Sequence, residues 1–237
     1  MQVDQKRNAC TLVGLLMLTL LSGACTRQHQ ITAPATFPKP ALEVIPLTAG
    51  LYASSEFQQY VHKEEITPGD HWDLKLGPAS TRLFQTILGA SFRQLRMLSE
   101  APASKRPTSV QIAFTPTLED FQFSTGRQAG AEFIEAWVKY SVQVHDREGN
   151  ALTAWSIAAY GRHRGQLIGG LEEGLGLAIQ EAMRDAGAAL ALKLRSVRKR
   201  PARGTRTSSA AKQSEQAPAP APDDEGSADA AQEEKQW

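Results

Sequence analysis

The stretch 134-IEAWVKYSVQVHDREGNALTAWSIAAYGRH-163 decides the fold. Ile134, Ala136, Val138, Tyr140, Val142 and Val144 alternate with Glu135, Trp137, Lys139, Ser141 and Gln143, the period of two that a strand shows when one face is buried. Asp146 to Asn150 contains Gly149 and reads as a hairpin loop, so Ala151 to His163 returns as the antiparallel partner. Upstream, Val110, Ile112, Phe114, Pro116 and Leu118 alternate with Gln111, Ala113, Thr115 and Thr117, which predicts another strand.

Outward from these strands the period changes. Gly77-Pro78-Ala79-Ser80 opens a helix, proline being tolerated in the first turn. Phe84, Ile87, Leu88, Ser91, Phe92, Leu95 and Leu98 then recur at three- and four-residue spacing. A second stripe, Leu175, Ile179, Ala182, Met183, Ala186, Leu190 and Leu194, predicts a last helix over about 171–194 after a glycine-rich connection from Gly161 to Gly170. Before the first helix, Thr67-Pro68-Gly69-Asp70 is turn chemistry between Phe57–Ile66 and His71–Leu76, hence a hairpin. Leu42–Ser54 reads as a strand interrupted at Pro46 and Gly50, expected at a sheet edge because proline lacks a ladder donor. Two apolar helix stripes and alternating strands are satisfied together by an α+β two-layer sandwich, a mostly antiparallel sheet with two helices on one face. About 155 residues, 41–195, suffice for such a domain to bury a core without disulfides.

The two ends of the chain differ in kind. Lys6 and Arg7 precede an uncharged apolar run, Ala9–Leu21, of about 13 residues, short of the roughly 20 a spanning helix needs. The run closes on Leu21-Ser22-Gly23-Ala24-Cys25. This segment resembles the lipobox of bacterial lipoproteins, with Ser22 standing where leucine is usual. The resemblance implies removal of residues 1–24 as a signal peptide and attachment of diacylglycerol and palmitate-type acyl chains at Cys25. It makes the membrane a partner through that lipid. Thr26, rather than aspartate, after the cysteine implies the outer membrane, with the domain in the periplasm. Cys10 lies in the removed segment, so Cys25 is left without a partner for a disulfide, and lipidation accounts for it. Thr26 to Pro40 carries three prolines and reads as a flexible tether of up to roughly 50 Å. Residues 196–237 hold Arg198-Lys199-Arg200, then Ser, Ala, Gln and Pro, then acids, with almost no large apolar residue before Trp237. Such a tail cannot offset its ordering entropy and is expected to be disordered.

Function is less legible. The 26 basic and 25 acidic residues fall to 24 of each after signal removal, so no global field would draw in nucleic acid. Glu64-Glu65, Glu119-Asp120, Glu132/Glu135 and Glu172-Glu173 suit solvated faces, and neither Ser141 nor Ser156 has a nucleophile elbow. No enzyme is expected. His29, His62, His71, His145 and His163 lack metal-ligand spacing, and the glycines of 161–176 match no phosphate-binding loop, so neither metal nor cofactor is expected. The aromatic residues Phe121, Phe123, Phe133, Trp137 and Trp155 are more suggestive. Trp137 falls on the strand face opposite Ile134 and Val138, where it is an anchor for a partner if nothing covers it. Phe133, Trp137, Trp155 and the basic cluster Arg198, Lys199 and Arg200 are the candidate partner-binding residues. The order of elements is similar to that of small outer-membrane accessory lipoproteins, the lipopolysaccharide-assembly and YajG types. That resemblance implies a non-catalytic adaptor with an envelope protein partner. An acyl- or glycan-binding module is the alternative, and an envelope hydrolase a third.

Overall fold

A computed structural model describes residues 27–41, 43–103, 106–125, 132–164 and 170–198. The expected signal peptide, Cys25 and residues 199–237 of the expected disordered tail lie outside the described residues, whereas residues 196–198 of that tail are helical. The α+β class holds, with the strands divided between two sheets.

The large sheet is built on β6 (Ile112–Ser124), β7 (Phe133–His145) and β8 (Ala151–Arg164). They pair antiparallel in the register set by the 146–150 loop, with Val142 opposite Trp155 and Trp137 opposite Tyr160. β6 runs past the expected Leu118. A register shift between Leu118 and Asp120 moves the inward parity from even to odd positions, so Phe121 becomes buried beyond it. A one-residue bulge hides the second half of a strand from any period-two reading.

Two further strands extend this sheet in parallel, β2 (Ile45–Leu51) beside β6 and β5 (Phe92–Met97) beside β2, in the order β5-β2-β6-β7-β8. The edge position expected for the Pro46 strand is therefore corrected, since β2 lies inside the sheet. Pro46 is tolerated because it sits in the register shift between Ile45 and Thr48, and β2 meets β6 only over Ala49–Leu51. The first long helix is likewise shorter than its stripe. It ends at Ser91, and Phe92 turns extended to begin β5, where its side chain remains buried. Phe92 and Leu95 satisfy a three-residue spacing, but pairing with β2 determines their conformation.

The small sheet has the order β1-β4-β3, from β1 (Arg27–Thr32), β3 (Val61–Thr67) and β4 (Asp70–Lys75). The β3–β4 hairpin turns at Pro68-Gly69 as expected. The tether expectation is corrected for the described part of 27–40. Arg27 to Thr32 pairs parallel with β4, and Ile31, Ala33 and Phe37 are buried. Only Ile31 is strongly apolar in RQHQIT, so this strand is held by tertiary contacts that its composition does not announce.

A short helix α1 (Ser55–Gln58) is capped by Ser54, whose Oγ accepts from the Phe57 N–H at 3.1 Å. It delivers Phe57 to α2 (Gly77–Ser91) and β7. There Phe57, Phe84 and Tyr140 meet edge to face, with centroids 5.5 to 6.3 Å apart. The Tyr140 hydroxyl and Ser80 Oγ, 2.8 Å apart, satisfy one another inside this cluster. Burial drives the Tyr140 pKa far above its ordinary value, so it stays a neutral hydrogen-bonding group. The last helix, α3 (Gly170–Arg198), covers the inner face of β7 and β8 and runs beyond the expected end at Leu194.

His145, where β7 enters the hairpin loop, is 7% exposed, and its Nδ1 has no hydrogen-bond partner among the described residues. Burial lowers its pKa, with Asp146 opposing in part. A histidine whose folded pKa is depressed binds its proton more readily when unfolded. Its contribution is complete above the unfolded value and is lost as pH falls through the window from about 6.5 down to the folded value. The melting temperature should thus fall between pH 7 and 5, and His145→Phe should flatten that fall. An unchanged pH slope in the variant would count against this assignment.

Candidate interaction face on the outer sheet

The alternation that buries Val138 and Tyr140 turns Trp137 and Lys139 outward, and across the hairpin Ala154, Ser156, Ala158 and Tyr160 join them. α2 and α3 occupy the other face, leaving Trp137 40% and Tyr160 38% exposed. Register makes them direct cross-strand partners, and their rings lie 5.4 Å apart at 42°. Ala158, opposite Lys139, is too small to fill the space beside them. The result is an open hollow of about 460 Å³, walled by the two rings and rimmed by Asp120, Gln122 and Lys139.

The polar atoms of this face are organised. The Tyr160 hydroxyl donates to Glu135 Oε1 at 2.6 Å, and that bond is the main reason its pKa is raised. Lys139 Nζ lies 3.0 Å from Glu119 Oε2. At the end of β7, the guanidinium carbons of Arg162 and Arg164 stand 4.9 and 5.7 Å from the Phe133 ring centre, a cation–π arrangement. The face thus combines an exposed aromatic pair, an open hollow and a rim with both charge signs.

β8 is an edge strand, and α3 covers part of its open side. The backbone N–H groups of Tyr160 and Arg162 donate to Asp185 Oδ2 at 3.3 Å and Glu181 Oε2 at 3.2 Å. Edge donors protected by carboxylates do not template strand addition at that end. Gly161, where the expected return strand Ala151–His163 and the expected glycine-rich connection overlap, belongs to β8 and faces α3 directly.

Of the expected partner-binding residues, Trp137 and half-buried Phe133 share this face. Trp155 turns the other way. It has the parity of Ile157 and Ala159, is 9% exposed and packs near Phe114 at 6.0 Å, so it is a core residue. Arg198 is the last residue of α3, while Lys199 and Arg200 lie outside the described residues. Tyr160 was not singled out by sequence reasoning, although the hairpin register that positions Trp137 also identifies its partner.

A second constellation was also unforeseen. His29 on β1 stacks on Trp72 at 4.0 Å and 15°, with Nδ1 2.7 Å from Glu172 Oε1 at the start of α3. Its Nε2 lies 3.1 Å from Asp70 Oδ1, an ion-pair distance outside hydrogen-bond geometry. His29 therefore joins β1, β4 and α3. Among the described residues, no three His, Cys, Asp or Glu side chains converge where a metal ion could be held. Nor is any described helix long and apolar enough to cross a membrane.

No protein-family model matches the chain, and no curated protein matches it in sequence. Among solved structures it is similar to a Xanthomonas campestris protein of family DUF330, at 11% identity over 69% of this chain and 89% of that one, with a TM-score of 0.44. A Caulobacter crescentus protein described as a candidate lipoprotein is 8% identical over 38% of this chain and 69% of its own, at 0.32. A hypothetical protein of Chlamydia trachomatis is 10% identical over 62% and 96%, at 0.36. Likenesses at these scores support no inference about function.

Proposed function

We propose that this chain is a lipid-anchored lipoprotein of the bacterial outer membrane that serves as a non-catalytic adaptor. Cys25 would attach it to the membrane, and the outer face of β7 and β8 would dock on an envelope protein. The observation that supports the docking surface is the exposed Trp137–Tyr160 pair beside the hollow over Ala158. Two large aromatic rings left in solvent on a sheet face cost hydration free energy that partner burial would recover, and such residues dominate binding where they cluster.

The test places a photoreactive benzoylphenylalanine at position 137 in intact cells. One reproducible protein adduct is expected, and Ala158→Arg, which fills the hollow from an exposed position, should abolish it without changing the melting temperature. Absence of any adduct, or an adduct indifferent to Ala158→Arg, would overturn the docking role. The anchor is tested separately with Cys25→Ala, which should leave the membrane fraction; continued membrane association would sink that part of the proposal.

A further inference from the structure

β1 begins at Arg27, two residues after Cys25. Arg27 is fixed there by its register opposite Asp70 and by its N–H, which donates to the Gly69 carbonyl at 2.7 Å. The covalent chain from Cys25 to Arg27 spans at most about 7 Å however it is arranged. A lipid on Cys25 is therefore held close to Arg27 for as long as β1 stays paired.

Three segments meet at the pole of the domain where Arg27 lies. The turn between β3 and β4, with Thr67 and Pro68 exposed, is joined to Arg27 through Gly69. From His29 to Thr36 the chain then runs beside α3 in the same direction, with His29 against Glu172, Ile31 and Pro34 near Gly176, and Thr36 accepting from Gln180. Arg27 consequently stands at the start of α3. β8 runs the opposite way, since Tyr160 and then Arg162 meet Asp185 and then Glu181. Its last residue, Arg164, paired with Phe133, points to the same pole. The hairpin loop 146–150 lies at the other pole, roughly 40 Å away along β7. Charges near Arg27 are offset locally: Asp70 and Glu172 face His29, and Arg164 Nη2 lies 3.5 Å from Glu132 Oε2. Such a surface is not a basic patch that anionic headgroups would select. The short reach of the anchor selects it instead.

We propose that this pole, made by the Thr67–Asp70 turn, the first turn of α3 and the end of β8, rests on the lipid surface. The inference depends on the reading of Cys25 as the lipidated residue. However the domain tilts, the pole stays beside the anchor while the 146–150 loop swings clear. Trp137, four residues along β7 from Phe133, is then presented roughly 13 Å from that end of the strand, beside the membrane.

The test couples the mature chain, residues 25–237, through its one cysteine to maleimide-bearing lipid in phosphatidylcholine vesicles. A fluorescent amino acid is placed in turn at the exposed positions 68, 173 and 148, and a headgroup nitroxide on the vesicle lipid serves as a short-range quencher. Most of the fluorescence at 68 and 173 should be lost and none at 148, with or without added phosphatidylglycerol. An insert of about ten Gly and Ser residues between Thr26 and Arg27 leaves β1 intact, extends the mean reach to roughly 20 Å and should restore fluorescence at both positions. The proposal fails if either 68 or 173 is spared, if 148 is quenched as strongly, if quenching requires phosphatidylglycerol, or if the insert leaves it unchanged. Because the lipid is attached chemically, these outcomes do not depend on processing in cells. Continued membrane association of Cys25→Ala in cells would overturn the anchor reading alone.

Discussion

Gly161→Ala is expected to lower stability by about 3 kcal/mol or more, at the upper end of the range for overpacking a core. A Cβ there would stand 2.3 Å from both the Ala178 carbonyl oxygen and the Ala182 nitrogen, and 2.9 Å from the Glu181 carbonyl carbon. All three are backbone atoms of α3, so no rotamer change relieves the clash and the helix must move off the sheet. Moving it also stretches the bonds from the Tyr160 and Arg162 N–H groups to Asp185 and Glu181. For a domain of this size the melting temperature should fall by roughly 6 to 12 °C. Gly170→Ala is the informative contrast. Its φ is +84° but nothing lies within 4 Å of the added carbon, so only backbone strain of about 1–2 kcal/mol is expected. Equal melting temperatures for the two variants would show that the close approach of α3 to β8 does not carry the stability assigned to it.

Phe84→Ala should be comparably damaging, at about 3–5 kcal/mol. Phe84 is 1% exposed and stands between Phe57, brought in by α1, and Tyr140 on β7. Its removal leaves a cavity bounded by a helix and a sheet strand, and both are too constrained by their own hydrogen bonds to collapse into it. Tyr140→Phe tests the polar part of the same cluster. It keeps the ring but leaves Ser80 Oγ without its partner, and about 1 kcal/mol is the expected loss. Denaturant unfolding of both variants checks the ranking, and a Tyr140→Phe loss as large as that of Phe84→Ala would mean that the hydrogen bond, rather than aromatic packing, holds α2 to β7.

The strands that carry the candidate interaction face were legible because each buries one face along nearly its whole length, and the Asp146–Asn150 loop set their register. Trp137 could be placed outward on that basis alone. Trp155 could have been excluded by the same parity, since it alternates with Ser156 and shares the side of Ile157. β1 was not legible: its pairing depends on β4, 43 residues away in register, and on a stacking contact between His29 and Trp72.

Local chemistry by itself determined the α+β class, the hairpins, the two long helices and the resemblance of Leu21–Cys25 to a lipobox, because periodicity, turn residues and a short apolar run are properties of neighbours in the chain. Tertiary structure decided the rest: that β2 and β5 add in parallel beside β6, that α2 stops where β5 can pair, and that Arg27–Ala41 lies along α3 instead of hanging free. Each depends on the free energy of contacts between distant segments, which outweighs local preference and leaves no period in the sequence to read.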